Sequence, residues 1–202
     1  MPHPTTANRR NVKSALADQV IDPDRGKDFL TPAEIDKLLR ATRASRHHFR
    51  DYALIRLMYR HGLRVSEATN LRRSDADLQQ HRLIFRRLKH GFSVPHPIDG
   101  ETVRALKRYL GARGSDGAPW LFLSERRGKL TRQAVNYLLL EIGRRAGLGR
   151  VHPHMLRHAC GYALADKGTD FRLLQDFLGH RNPRHTAHYT RTSPARFNRI
   201  WD

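Results

Sequence analysis

The sequence has a single cysteine, Cys160, among 202 residues, so the chain cannot form an internal disulfide. Such sparing use of cysteine fits a reducing compartment. No apolar run approaches the ~18–20 residues that a membrane span requires, and the first residues lack the apolar stretch of a secretory signal. These absences argue against a disulfide-stapled secreted domain and a membrane protein, and we expect a cytoplasmic protein with no membrane partner.

Acidic residues are also scarce. The chain has 19 Asp and Glu against 38 Lys and Arg, which gives a formal net charge of +19 at pH 7. A surplus of this size favours a polyanionic partner, first of all DNA or RNA. Thirty-one of the basic residues are arginines, whose planar fork of donors fits phosphate oxygens in pairs. Composition leaves open whether the protein is an enzyme, a binding protein or a protein with a solvated cationic face.

The motifs of nucleotide and metal chemistry are missing as well. Neither GxxxxGK[ST] nor GxGxxG occurs, so neither ATP nor a dinucleotide is indicated. His154 and His158 have the i, i+4 spacing of a helical metal pair, with His152 nearby. The HExxH pattern, however, requires Glu directly after the first His, where Met155 stands, and the chain has no cysteine pair. We therefore expect neither a metal ion nor a cofactor.

The chain divides into a polar arm and one folded body. Residues 1–27 contain three prolines, show no sustained apolar period and carry nearly balanced charge, so they are predicted to form a flexible arm. The positive surplus therefore belongs to residues 28–202. Their number suits one domain with its own core.

Sequence periodicity in the body predicts a mainly α fold with a small antiparallel β-sheet, in the α+β class. Thr31, Pro32 and Glu34 form a helix start, in which the threonine caps the helix and the glutamate completes a capping box. Strands are predicted at 82–87, 93–98 and 120–123, and the later helices at 49–61, 65–71, 101–110, 131–146, 153–167, 170–178, 183–190 and from 193 onward.

Two basic clusters stand beside predicted helix ends. Arg64 follows a glycine cap at Gly62, and Glu67 lies on the same helical face, where it can hold the guanidinium. His154 and Arg157 share a face at the start of a later helix, and a helix N-terminus with an added Arg and His suits a phosphate. Each cluster has an alternative: a surface ion pair of little energetic weight for the first, and a structural histidine with a solvent-facing arginine for the second.

His180 and Tyr189 are two further candidates. Gly179 has the position of a helix cap that turns His180 inward. Tyr189 follows nine residues later, where a tyrosine is usually a core or a surface residue. Its hydroxyl, with a pKa near 10, is a poor nucleophile unless cations surround it.

Taken together, these residues resemble the tyrosine recombinase (phage integrase) family over about residues 28–202. The matching segments are Gly-Leu-Arg-Val-Ser-Glu at 62–67, His-Pro-His-Met-Leu-Arg-His at 152–158, Leu-Gly-His-Arg at 178–181, and Tyr189. Each segment is a weak signal alone, but all of them in the right order and context are specific. Within the family the chain is most similar to the short fimbrial phase-variation recombinases, through the stretches 87–93, 152–161, 178–185 and the last seven residues.

The resemblance implies the family's catalytic-domain fold and a site-specific recombinase that cleaves and rejoins double-stranded DNA. Tyr189 is then the nucleophile that forms a 3′-phosphotyrosine bond and frees a 5′-hydroxyl. This bond stores the energy of the cut linkage, so religation requires neither ATP nor metal. The other implied roles are phosphate binding by Arg64 and Arg157, hydrogen bonding to phosphate or assistance in proton transfer by His154 and His180, protonation of the leaving oxygen by Lys89, and support of Arg64 by Glu67.

The resemblance also implies partners. In the family, a C-terminal segment docks into a neighbouring protomer of a tetramer on synapsed DNA, and here residues 191–202, with Phe197, Ile200 and Trp201, are expected to do so. The alternative is that this face packs on its own domain, which is the default for a terminal helix. The family's usual N-terminal helical domain, which grips the other face of DNA, is missing from this sequence. Weaker binding, or help from accessory DNA-bending proteins, is therefore expected. The expected outcome is inversion of a DNA segment between inverted repeats.

Two other functions stay open at this point. One is a DNA-binding regulator that has lost catalysis, although the intact residue set argues against it. The other is a type IB topoisomerase-like relaxing enzyme, which uses similar chemistry without pairing two sites. The segment that follows Tyr189 favours recombination over relaxation.

Overall fold

The computed structural model describes residues 28–85, 94–115 and 117–191. Within these ranges the chain forms α1 (Pro32–Ala41), α2 (His48–Arg60), α3 (Val65–Asn70), β1 (Ala76–Asp77), β2 (Arg82–Phe85), β3 (Val94–Pro97), α4 (Gly100–Arg113), α5 (Arg132–Arg145), α6 (Pro153–Asp166), α7 (Phe171–Leu178) and α8 (Arg184–Arg191). Two short 3₁₀ turns lie at Thr42–Ala44 and Arg73–Asp75. The predicted class, mainly helical with a small antiparallel sheet, is confirmed.

Helix α1 begins as its sequence predicts. The Thr31 side chain accepts a hydrogen bond from the backbone N–H of Glu34, and the Glu34 carboxylate accepts one from the backbone N–H of Thr31 at 2.9 Å. Pro32 occupies the first turn, where its missing N–H costs nothing. The helix buries Ile35 and Leu38, so its amphipathic pattern has become one wall of the core.

Helix α2 is the centre of the core. Leu54, Ile55, Leu57 and Met58 have no solvent exposure, so the helix is covered on several sides. It packs against α4 and α6. Since α2 is fixed in this way, the residues just beyond its C-terminal end are held in place relative to α6.

The sheet has three antiparallel strands in the order β1-β2-β3. Leu83 and Phe85 of β2 are buried on its inner face. Strand β3 is at an edge and contains Pro95 and Pro97, which an edge strand tolerates because it pairs on one side only. The predicted turn between β2 and β3, with Lys89, lies outside the described residues, as do the predicted arm 1–27 and the segment 192–202 with Phe197, Ile200 and Trp201.

The third strand predicted at 120–123 is wrong. Trp120 makes one isolated bridge to Arg72, and Leu123 makes one to Lys129. The Arg113 guanidinium donates to the carbonyls of Trp120 and Leu121, so these acceptors are satisfied by a side chain rather than by a strand. The third strand of the sheet is instead β1.

In the parts of the chain that the structure describes, no helix has both the length and the apolar character required to cross a bilayer.

Candidate active site

The first side of the site is built at the junction of α2 and α3. Gly62 adopts φ +57°, and a Cβ added there would lie 2.5 Å from a Leu178 methyl, so only glycine fits. Arg64 follows as the N-cap residue of α3, with 36% of its side chain exposed. Its Nη1 lies 3.0 Å from Oε1 of Glu67, whose side chain is only 1% exposed. The predicted support of Arg64 by Glu67 is therefore present as a contact.

Arg157 joins this junction to α7. It lies on α6 and is 4% exposed. Its Nη1 donates to the carbonyl of Gly62, and its Nη2 donates to the carbonyl of Leu178 at 2.7 Å. The alternative of a solvent-facing arginine is wrong for this residue. Two of its donors instead tie the ends of α2 and α7 together, and the cation is fixed at their meeting point.

His154 lies in the first turn of α6 and is exposed. Desolvation by the neighbouring protein atoms lowers the pKa of its imidazole, and the positive charges of His152, Arg157 and Arg64 lower it further. The ring is therefore neutral at pH 7 and offers one N–H donor and one acceptor. The positive charges of Arg64 and Arg157, one from each predicted basic cluster, thus both act on this imidazole.

His180 is placed inward, as its sequence position predicts. Gly179 ends α7 in the left-handed conformation, and the His180 side chain that follows is 8% exposed. Nδ1 of His180 lies 2.9 Å from Oγ1 of the fully buried Thr186. The hydrogen bond fixes the orientation of the imidazole, which packs against the ring of Tyr189 with 6.0 Å between centroids.

Tyr189 lies on α8 and is buried, with 2% exposure. Its hydroxyl is 3.0 Å from Nδ1 of His158 on α6. A Cβ added at Gly161 would lie 2.7 Å from the tyrosine ring, so the absence of a side chain on α6 makes room for it. Burial raises the pKa of Tyr189 to about 12, while the positive charge of Arg157 acts in the opposite direction.

Sequence reasoning missed three residues of this site. Thr186 and Gly161 gave no chemical signal, since their roles depend on contacts between helices. His158 was considered only as a metal ligand. Among the described residues, no group of three or more His, Cys, Asp or Glu side chains is placed to hold a metal ion. The signal that could have placed His158 in the site is that it shares one helical face with His154 and Arg157.

The arrangement suits phosphoryl transfer to tyrosine. Arginines bind phosphate oxygens and stabilise the charge that develops on them, and the Arg157 guanidinium donates to the carbonyl of Gly62, two residues before Arg64. A tyrosine hydroxyl is held by a histidine nitrogen close to this cluster. These residues lie on a mainly helical domain with a small antiparallel sheet.

Comparison with known proteins identifies the family of this chain. The model of the phage integrase family matches residues 28–196, and the chain belongs to this family. The type 1 fimbriae regulatory protein FimB of Escherichia coli K12 is 45% identical over 183 residues, covering 89% of this chain and 92% of FimB. FimE of the same strain is 44% identical over 179 residues, covering 86% of this chain and 90% of FimE. The predicted resemblance to the family and to its fimbrial members is confirmed.

The fold is also that of a solved recombinase. The crystal structure of XerA recombinase matches with a TM-score of 0.75 and 29% identity, covering 84% of this chain and 62% of the XerA chain. The chain thus spans about six tenths of the length of that enzyme.

Proposed function

We propose that the protein is a site-specific DNA recombinase that cleaves one strand through Tyr189 and rejoins it to a partner strand. The tyrosine oxygen attacks the scissile phosphate, a 3′-phosphotyrosine bond forms, and the 5′-hydroxyl leaves. The 5′-hydroxyl of the partner strand then attacks the phosphotyrosine and releases the enzyme. Because the covalent bond conserves the energy of the linkage, the cycle requires no ATP.

One observation carries this proposal: the Tyr189 hydroxyl lies 3.0 Å from Nδ1 of His158, which follows Arg157 on α6 and whose ring centroid is 6.3 Å from that of His154. In this proposal Arg64 and Arg157 hold the non-bridging oxygens and stabilise the transition state. His154 and His180 donate hydrogen bonds to the same phosphate, Glu67 orients Arg64, and Lys89 protonates the leaving 5′-oxygen.

The proposed substrate is double-stranded DNA, which the net charge of +19 favours. Similarity to FimB and FimE over most of all three chains supports control of fimbriae or similar surface structures. We propose inversion of a DNA segment between inverted repeats, by a tetramer on synapsed sites.

In this proposal residues 28–202 form the catalytic domain and residues 1–27 form an arm. Accessory DNA-bending proteins assist binding. Its place of action is the cytoplasm, at the nucleoid.

Covalent trapping tests the nucleophile. Wild-type and Tyr189→Phe proteins are incubated with nicked duplexes tiled from the DNA that flanks the gene, and the products are separated on denaturing gels. We expect a denaturant-resistant, protease-sensitive adduct with the wild type only. Tyr189→Phe is the matched control, since it removes one oxygen and keeps the ring packing.

The other results select among the alternatives. Binding of both proteins to the same fragments without any adduct contradicts cleavage and favours a regulator. An adduct followed by relaxation of supercoiled DNA that carries one site, without exchange between two sites, favours a topoisomerase-like enzyme. Inversion on a plasmid that carries two inverted sites supports the full proposal.

A further inference from the structure

The hydroxyl of Tyr189 has a hydrogen-bond partner that the expected catalytic set does not include. Nδ1 of His158 lies 3.0 Å from this hydroxyl, and the two ring centroids are 5.7 Å apart. The contact joins α6 to α8. The tyrosine ring is held in place by the close approach of Gly161 on one helix and by the His180 ring that packs against it.

We propose that His158 is the proton acceptor for Tyr189 during strand cleavage, an inference that rests on the proposed function. The O–H bond of Tyr189 breaks, its proton passes to Nδ1 of His158, and the oxygen electron pair forms the bond to phosphorus. The bond from phosphorus to the 5′-oxygen breaks, and this oxygen takes a proton from a general acid, for which Lys89 is proposed. During religation the His158 imidazolium returns its proton to the departing tyrosine oxygen.

The raised pKa of the buried Tyr189 hydroxyl makes a proton acceptor necessary. Burial raises the pKa of Tyr189 to about 12, so the phenolate is only about one molecule in 10⁵ at pH 7. A base within hydrogen-bond distance removes this barrier as the bond to phosphorus forms.

The environment of His158 keeps the base in its neutral, accepting form. Burial lowers the pKa of the imidazole, and Asp28 acts in the opposite direction. The charge of Arg157 lowers the pKa further, as do His154 and His188 when they are protonated. The other titratable group that faces it is Tyr189 itself. Because the pKa of His158 is below its ordinary value, most of the imidazole is neutral at pH 7 and can accept a proton.

The two expected histidines occupy other positions. His154 is exposed in the first turn of α6, with 6.3 Å between its ring centroid and that of His158. His180 is hydrogen-bonded to Thr186 through Nδ1 and packs against the tyrosine ring. These positions suit contacts to phosphate, so proton acceptance by His158 leaves both histidines for that role.

His158→Asn separates basicity from hydrogen bonding, because the amide oxygen accepts a hydrogen bond but no proton at these pH values. Adduct formation is measured from pH 6.5 to 8.5 on a nicked duplex with a bridging 5′-phosphorothiolate, whose sulfur leaves without a proton. We expect a nearly level wild-type profile. For His158→Asn we expect a rate about 100-fold lower at pH 7, rising about tenfold per pH unit as phenolate forms. His188→Asn, the same change on the neighbouring exposed histidine, should retain the wild-type profile.

The possible results separate the proposed role of His158 from the proposed function of the protein. An adduct that His158→Asn forms at the wild-type rate, or faster, overturns the inference and leaves the proposed function standing. A failure of the wild type to form any adduct, even with the activated substrate, overturns the proposed function and this inference with it. A measurement without DNA checks the contact: Tyr189→Phe should raise the NMR-titrated pKa of His158, because the donor that stabilises its neutral form is gone. An unchanged pKa of His158 in this variant would contradict the hydrogen bond between His158 and Tyr189.

Discussion

At the scale of single residues, the two arginines of the site differ in what they do for the fold. The Arg157 guanidinium is buried and divides its donors between the carbonyls of Gly62 and Leu178. Arg64 is more than a third exposed and makes an ion pair with Glu67. The fold therefore requires a planar guanidinium at Arg157, whereas any flexible cation can pair with Glu67 at the position of Arg64.

Conservative substitution should expose this difference. Arg157→Lys replaces the fork by one ammonium that cannot reach both carbonyls, so we expect the free energy of unfolding to fall by about 2–3 kcal/mol. Arg64→Lys keeps the charge beside Glu67 and should cost about 0.5 kcal/mol or less. Urea unfolding followed by circular dichroism measures both values. Equal losses would mean that the two carbonyl contacts add no stability.

Thr186 is a second residue whose importance is visible only in the structure. Its hydroxyl orients His180 from a fully buried position. Thr186→Val keeps the shape and removes this hydrogen bond, so we expect adduct formation to slow about tenfold while DNA binding stays within about twofold. Thr186→Ser should restore the rate. Slow cleavage that serine fails to rescue would point to packing rather than orientation of the imidazole.

At the scale of secondary structure elements, α6 carries most of the site on one face. His154, Arg157, His158 and Gly161 follow the i, i+3, i+4, i+7 pattern, so they line one stripe of the helix. This helix supplies a neutral imidazole, a buried guanidinium, the partner of the tyrosine hydroxyl and the gap that accepts the tyrosine ring. One helix thus sets the distances between Tyr189 and the groups around it.

The sequence allowed the existence of α6 and of its basic face to be predicted, because capping and periodicity are local properties. The same holds for the capping box at Thr31 and for the inward turn at His180. The contact between His158 and Tyr189 was not predictable, since it depends on how α6 and α8 pack. The strand wrongly predicted at 120–123 failed for a similar reason: Arg113, from another element, satisfies its carbonyls.

The close approach of α6 and α8 at Gly161 can be tested with a methyl group. Gly161→Ala places a Cβ 2.7 Å from the Tyr189 ring, so we expect a loss of about 1–3 kcal/mol in unfolding free energy and a displaced nucleophile. Gly111→Ala is the matched control on α4, since a Cβ there meets nothing within 4 Å. It should stabilise the protein by up to about 1 kcal/mol. Thermal unfolding and adduct formation of both variants measure the effect, and a harmless Gly161→Ala would contradict tight packing of the two helices.

At the scale of the whole molecule, the site is an assembly of distant segments. The α2–α3 junction, the start of α6 and the α7–α8 region are far apart in the chain, and Arg157 bonds to the carbonyls that end two of the helices. The groups proposed to bind phosphate therefore take up their geometry only when these helix ends meet. Tyr189 lies on α8, the last helix in the part of the chain that the structure describes.

A further prediction concerns residues 194–202, which follow α8 in the sequence. If the segment docks on a neighbouring protomer through Phe197, Ile200 and Trp201, its removal should affect assembly more than binding. We expect the truncated protein to bind a single site within about threefold of the wild-type Kd, because phosphate contacts from the body dominate affinity. Synapsis of two sites and strand exchange should fall at least tenfold. Gel shifts on one-site and two-site fragments, at one fixed salt concentration, separate the two effects. An equal loss of binding and synapsis would show instead that the segment supports its own domain.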